Sequence, residues 1–345
     1  MKIYNDIDYS DIFDLGYSTA TYDNHSMGKS LKKYIEIKIS NILLSNQISN
    51  IIVVGNYDRT QGILEKEKND KLFNFKRPTI MVDNDTAIVN CYPGIDYVYH
   101  YASLIKTYLQ LLNCDKNVNV LFPTQEDIQR EIEKSNLKNV PMCKTAILGY
   151  VVGFDYLSSD TSWNGDGDFQ WKNINYDKIL IGCKHSYWGD ISGHVVSYLA
   201  HMGFERIIYI GKLGTLNDYY IPNETIATGS KSVFLDGSDI QWNNIFEQFN
   251  SPEIKDGIHY TLPSIIQETN DWVVKNKEKV DFVDPEIGHM AKSAKNNNIE
   301  FSYMHIISDN LVQKYPEDLS NERKQEILVK RKRLIKVIGN CISQI

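Results

Sequence analysis

The chain has 345 residues with a formal net charge of −7, and 42% of its residues are hydrophobic. This apolar content supports a full core and excludes global disorder, while the acidic balance argues against non-specific binding of nucleic acid. The five cysteines are scattered, so neither a disulfide framework nor a metal site is predicted. No apolar run reaches the roughly 18–20 residues of a membrane span. We expect a cytoplasmic protein with no membrane partner.

The first 50 residues are predicted to form an N-terminal helical extension. Apolar residues recur at helical spacing between Leu31 and Ile42. The run Gly28–Ser30 reads GKS and matches the end of a P-loop, but Asp23 stands where the motif requires its first glycine. We therefore predict a loop that leads into a helix, not a nucleotide-triphosphate site.

A short buried strand is predicted at 50–54, where the sequence NIIVV ends in Gly55. A glycine at this point allows a tight turn. Arg59 follows four residues later and could reach an anion held at the carboxyl edge of the sheet. The alternative for Arg59 is an exposed loop arginine without a ligand.

Apolar strand patterns and helical patterns alternate along the rest of the chain, which favours a parallel or mixed sheet covered by helices. The segment ERIIYIGKLGTL is predicted to be a strand that ends in a glycine turn at 211–215. Such a turn could present backbone N–H groups to an anion or a sugar, and Lys212 would add positive charge.

Two acidic strand ends flank a helix in the stretch DFVDPEIGHMAKSAKNNNIEFSYMHIISDN, residues 281–310. Cleavage of an N-glycosidic bond needs a carboxylate that holds the sugar and an acid that protonates the leaving base. Glu286 suits the first role and Asp309 suits the second. Taken alone, each acid also fits a helix cap or a surface charge, because acids are favoured at helix starts.

The segments IIYIGKLGTL, YYIPNETIATGS, FVDPEIGHMAKSA and HIISDN occur in this order between about residues 177 and 312. In that order they resemble the hallmark motifs of the purine nucleoside phosphorylase/uridine phosphorylase superfamily, which includes the methylthioadenosine/S-adenosylhomocysteine nucleosidases and AMP nucleosidase. The resemblance implies a three-layer αβα fold with a central mixed sheet, in a chain that assembles as a homo-oligomer.

The resemblance also assigns roles to the residues that match its motifs. It implies that Glu286 binds the ribose hydroxyls and that Asp309 assists departure of the purine. Other matched positions fall into a substrate-binding set (Asp284, Ser308, Gly211 and Thr215) and a phosphate-binding set (Arg59, Lys212 and Gly55). No cofactor is implied, apart from inorganic phosphate as a co-substrate of the phosphorylases.

Departures from the family pattern affect the same positions. Pro285 replaces a methionine, Tyr209 stands where the phosphorylases commonly carry an arginine, and Lys212 is bulkier than that turn normally holds. Because the phosphate-binding set is incomplete, we favour hydrolysis over phosphorolysis. We predict a phosphorylase-like domain over 51–345 with a large insertion at about 62–175. The alternative is a non-catalytic module that binds a nucleoside or nucleotide.

Overall fold

The computed structural model describes residues 13–14, 19–55, 62–63, 71–317, 319 and 324–345. Its helices are α1 Ser30–Glu36, α2 Ile95–Leu111, α3 Gln125–Lys134, α4 Ile191–His201, α5 Asn270–Asn276, α6 Ile287–Asn296 and α7 Gln325–Gln344. Its strands are β1 Phe13–Asp14, β2 Asn50–Val54, β3 Thr79–Asp83, β4 Thr86–Asn90, β5 Asn117–Leu121, β6 Thr145–Gly149, β7 Phe169–Asn173, β8 Lys178–Cys183, β9 Arg206–Thr215, β10 Ile226–Phe234, β11 Asp239–Gln241, β12 Ile254–Thr261, β13 Phe282–Asp284 and β14 Glu300–Asn310. Among these helices, none combines the length and apolarity that a bilayer crossing requires.

The larger sheet of the described chain contains nine strands, in the order β11-β10-β12-β13-β9-β6-β8-β7, with β14 joined to both β9 and β10. Parallel and antiparallel pairs are both present. Because β14 bridges β9 and β10, the path β10-β12-β13-β9-β14 returns to β10. These strands therefore close into a barrel at one end of the sheet.

Helices cover both faces of this sheet, because successive side chains of a strand point to opposite sides. Along β9, Ile207 and Tyr209 belong to the hydrophobic cluster that includes α4 and α6. The intervening residues Ile208 and Ile210 belong to the cluster that includes α7. The predicted three-layer αβα architecture with a mixed sheet is confirmed.

A separate sheet of five strands lies in the described residues before β6, in the order β1-β5-β2-β4-β3. The predicted phosphorylase-like domain begins at residue 51, but β2 pairs in parallel with β4 and β5 of the smaller sheet. The expected insertion at 62–175 also contains β6, which occupies a central position between β8 and β9. An apolar strand pattern does not specify which sheet a strand joins, so the sequence could not assign β2 or β6 to its sheet.

Residues 211–215 do not form the glycine turn that the sequence predicts. The strand β9 continues through Thr215, paired with β14 along its length and with β13 at its end. A Cβ on Gly211 would lie 2.6 Å from Nε2 of His305, so the glycine admits the imidazole of the neighbouring strand. The backbone groups of this segment therefore form the hydrogen bonds of the sheet and are not presented to an anion.

Candidate functional site

Asp309 lies near the end of β14, next to an irregularity in its pairing with β9 between Ile307 and Asp309. Its side chain is mostly buried, with 9% of the residue exposed. Ser308 Oγ lies 2.8 Å from Oδ1 of Asp309 and 3.1 Å from the carbonyl oxygen of Leu213. The bulge and the serine hydroxyl together fix the direction of the carboxylate.

A cavity of about 250 Å³ opens beside Asp309. Its walls come from the segment that precedes α1 and from the chain that follows β14. The lining residues are Ser26, Met27, Gly28, Lys29, Ser30, Asp309, Asn310, Leu311, Lys314, Tyr315, Glu317 and Leu319. The GKS run therefore lies at the wall of a cavity, although it does not form a P-loop.

Hydrogen bonds anchor the wall segment to the loop that precedes α5. Ser26 N–H donates to the carbonyl oxygen of Glu268 at 3.1 Å, and His25 Nε2 donates to the carbonyl oxygen of Ile265 at 2.7 Å. Lys314 Nζ donates to the carbonyl oxygen of Ser26. Burial lowers the pKa of His25 to about 4, which keeps its imidazole neutral in this position.

A second buried carboxyl group, that of Glu268, interacts electrostatically with Asp309. Only 6% of Glu268 is exposed, and its Oε2 has no hydrogen-bond partner in the described part of the chain. Burial raises the pKa of Glu268 well above its usual range, and the charge of Asp309 adds to this effect. Glu268 is therefore a neutral acid that interacts with Asp309.

Asp284 is held by protein groups mainly through Oδ1, whereas its Oδ2 has no hydrogen-bond partner among the described residues. Its Oδ1 accepts the N–H groups of Glu286 and Ile287, both at 2.9 Å, at the start of α6. His259 Nε2 lies 3.0 Å from Oδ1, and His305 Nε2 lies 3.5 Å from Oδ2. Although burial opposes ionisation, these two histidines hold the pKa of Asp284 well below its usual range. Asp284 thus caps the helix and stays charged.

Glu286 is buried at the first turn of α6, with 8% of the residue exposed. Burial raises the pKa of its carboxyl group well above the usual range, and the adjacent Asp284 carboxylate raises it further. The Tyr209 hydroxyl hydrogen-bonds to Glu286 and partly offsets this shift. Glu286 is therefore a neutral acid that can donate a hydrogen bond.

The two predicted catalytic acids lie on opposite sides of β9. Gly214 pairs with Asp309 on one side and with Val283 on the other. Since neighbouring strands are about 4.8 Å apart, the backbones of Asp309 and Val283 are roughly 10 Å apart. Glu286 follows Val283 by three residues and does not line the cavity beside Asp309. The fold brings the two acids to the same end of the barrel but not into one described cavity.

Other predicted site residues have structural contacts. Thr215 Oγ1 donates to the carbonyl oxygen of Asp281 at 2.9 Å. Gly55 directly follows β2 of the smaller sheet, where a Cβ would lie 2.4 Å from Pro123. Lys212 is partly buried within β9, and Arg59 lies outside the described residues. The predicted phosphate-binding set is therefore divided between two sheets.

Sequence reasoning did not identify the histidines inside the barrel. His259 and His305 are fully buried on β12 and β14. The sequence does contain one indication that these histidines are buried. Each lies within a short apolar or β-branched run, IHYT or YMHII. A single strand pattern cannot show that two such histidines face the same acid.

No family model matches the chain. Among solved structures, it is similar to a 5′-methylthioadenosine/S-adenosylhomocysteine nucleosidase from Campylobacter jejuni, with 15% identity and a TM-score of 0.48 over 59% of this chain and 100% of that one. A uridine phosphorylase from Vibrio fischeri has 10% identity and a TM-score of 0.47, over 59% and 91% of the two chains. A futalosine hydrolase mutant from Helicobacter pylori has 14% identity and a TM-score of 0.45, over 59% and 100%.

Among curated proteins, the chain is similar to "Oxidoreductase cns1" from Cordyceps militaris. The two sequences are 26% identical over 261 residues, which cover 65% of this chain. The matched region spans 32% of the length of that relative, about a third of it.

Proposed function

We propose that this protein cleaves the N-glycosidic bond of a purine-type nucleoside or nucleotide. The observation that carries the proposal is Asp309, a buried acid oriented by Ser308 at the edge of a cavity of about 250 Å³. A pocket of this size suits one nucleobase. The motif order of the sequence supports the same reaction.

In this mechanism Asp309 protonates a ring nitrogen of the base, so that the base leaves as a neutral molecule. The bond to the sugar breaks with positive charge developing on the ribose, as in other glycoside cleavage. Glu286 supports binding of the sugar, because its neutral carboxyl group can donate to one hydroxyl and accept from another. Asp284 holds the turn that carries Glu286 and need not touch the substrate.

We favour water over phosphate as the group that attacks the sugar, and the proton that water loses on forming the new C–O bond restores the acid form of Asp309. Gly55 is packed in the smaller sheet against Pro123, and Lys212 is partly buried within a continuous strand. These positions do not supply the clustered donors that a phosphate ion prefers.

An incubation of the protein with adenosine, inosine, guanosine, uridine and their 5′-monophosphates, with and without phosphate, tests the proposal. We expect free base from at least one purine compound, measured by chromatography, without a requirement for phosphate. Strict dependence on phosphate would assign phosphorolysis instead. Absence of base release from every compound would overturn the proposed reaction.

The second candidate is a module that binds a nucleoside without cleaving it. The observation that favours it is the position of Glu286 outside the cavity that Asp309 lines. Binding of a nucleoside by calorimetry without any release of base would support this candidate. This chain matches only about a third of the length of the relative named "Oxidoreductase cns1". That name therefore does not define the activity of this chain.

A further inference from the structure

A closed ring of buried polar groups connects the barrel interior to the first turn of α6. Gly288 N–H donates to Thr261 Oγ1 at 3.0 Å, and Thr261 Oγ1 lies 2.8 Å from Ser232 Oγ. Ser232 Oγ lies 2.8 Å from Nδ1 of His259, whose Nε2 lies 3.0 Å from Asp284. Asp284 then returns to the helix, because it accepts the N–H groups of Glu286 and Ile287.

One arrangement of protons gives each hydroxyl of this ring an acceptor within it. If His259 is neutral with its proton on Nε2, that nitrogen faces Asp284 at 3.0 Å and Nδ1 accepts the Ser232 hydroxyl. Ser232 then accepts from Thr261, and Thr261 accepts from Gly288. A second proton on His259 would turn the Ser232 hydroxyl toward Thr261, which would then accept from both Ser232 and Gly288 and leave its own hydroxyl without an acceptor in the ring. Burial lowers the pKa of His259, which agrees with the neutral form.

The ring supplies hydrogen-bond acceptors for the first N–H groups of α6. The first N–H groups of an α-helix have no acceptor within the helix. In α6, Asp284 and Thr261 provide acceptors for three consecutive N–H groups, those of Glu286, Ile287 and Gly288. Thr261, Ser232 and His259 are at most 2% exposed, so water cannot replace them.

We propose that His259, Ser232 and Thr261 are positioning residues that fix Glu286 for the sugar. They act through Asp284 and the first turn of α6, and none of them touches the substrate. The role of Glu286 in this inference rests on the proposed function. The proposal that these residues hold the first turn of α6 in place does not rest on it. The structural role of the ring and the sugar-binding role of Glu286 can therefore be tested separately.

Substitutions at Thr261 separate the hydroxyl from the shape of the side chain. Thr261→Val keeps the shape and removes the hydroxyl, whereas Thr261→Ser keeps the hydroxyl. Thr228→Val is a matched control, because Thr228 is a buried threonine of the same barrel whose hydroxyl contacts the carbonyl oxygen of Tyr303, away from α6.

Hydrogen exchange of the amides of residues 286–288 tests the ring without a ligand. We expect exchange to be about tenfold faster in Thr261→Val, the change expected for one lost buried hydrogen bond. Thr261→Ser and Thr228→Val should leave it within about twofold of the wild type. If Thr261→Val exchanges no faster than Thr228→Val, the ring does not order the helix start and the inference is wrong.

Calorimetric binding of adenosine and of 2′,3′-dideoxyadenosine tests the effect on the sugar site. The wild type should prefer adenosine, and this preference should fall about tenfold in Thr261→Val and in His259→Gln but not in the two controls. If Thr261→Val speeds amide exchange but leaves the preference for adenosine unchanged, the proposal that the ring positions Glu286 for the sugar is wrong. A wild type without any preference would contradict the proposed function, while the exchange result would still decide the role of the ring.

Discussion

At the scale of single residues, the sequence located the predicted acids but could not predict which side chains contact them. The motif order located Asp309, Glu286 and Asp284, because each follows a strand pattern closely. It could not show that Asp284 is already occupied by His259 and by the helix it caps. That contact joins residues 25 positions apart, and nothing in either local pattern refers to the other.

Gly288 gives a residue-scale prediction that opposes ordinary helix propensity. Alanine normally stabilises a helix interior relative to glycine by up to about 1 kcal/mol. Here a Cβ would lie 2.2 Å from Oγ1 of Thr261 and would displace that hydroxyl. We expect Gly288→Ala to lower the free energy of unfolding by about 1–3 kcal/mol, as overpacking in a core does.

Denaturant unfolding of Gly288→Ala beside Ser293→Ala measures this effect. Ser293 lies on the same helix, and its change should alter the free energy of unfolding by less than about 0.5 kcal/mol. A Gly288→Ala variant as stable as the wild type would show that Thr261 moves without cost.

At the scale of elements, the helices α2 and α4 begin against each other and cap each other. Asp190 accepts the N–H groups of Ile95 and Asp96, both at 3.1 Å, and Asp96 accepts the N–H of Asp190 at 3.1 Å. His289 of α6 lies 2.9 Å from Asp96. Local sequence patterns can predict helices, but the mutual capping of α2 and α4 depends on how the two sheets meet.

This contact should make stability depend on pH. Burial and the neighbouring Asp96 raise the pKa of Asp190 to about 6, above its ordinary value of 3.8. Between these two pH values the unfolded chain has lost a proton that the folded chain keeps, so stability falls as pH rises. The raised pKa of His289 acts in the same direction at higher pH, because the folded protein binds that proton more tightly.

Thermal or denaturant unfolding of the wild type and of Asp190→Asn at several pH values tests this account. Between pH 4.5 and pH 7, the free energy of unfolding of the wild type should fall by about 1–2 kcal/mol relative to that of the variant. A difference between the two proteins that stays constant over this range would contradict the raised pKa of Asp190.

At the scale of the whole molecule, the two sheets share one hydrophobic cluster. It joins Val53 and Val120 of the smaller sheet to Ile207 and Tyr303 of the larger sheet. The helix α2 contributes to the same cluster and packs on the turn at Ile265–Gln267. The motifs that the sequence analysis singled out at 206–310 lie in the larger sheet, but the sequence could not divide the strands between two sheets.

The shared cluster predicts cooperative unfolding of both sheets. Separating them would expose apolar surface that each now buries against the other, which is unfavourable in water. Scanning calorimetry should show one transition with a calorimetric enthalpy close to the van't Hoff enthalpy. Two resolved transitions would mean that the smaller sheet unfolds independently.

The most direct test of the central claim is the rate of base release by Asp309→Asn. An amide of nearly the same shape cannot donate the proton that the leaving base requires, and general acids contribute about 10²–10⁴-fold to rates. The surface change Asp236→Asn serves as a control, because Asp236 is exposed in a turn beside β10. We predict that Asp309→Asn lowers kcat for the best purine substrate by at least about 100-fold, while Asp236→Asn leaves it unchanged. An Asp309→Asn variant with the wild-type rate would contradict the proposal that Asp309 is the general acid.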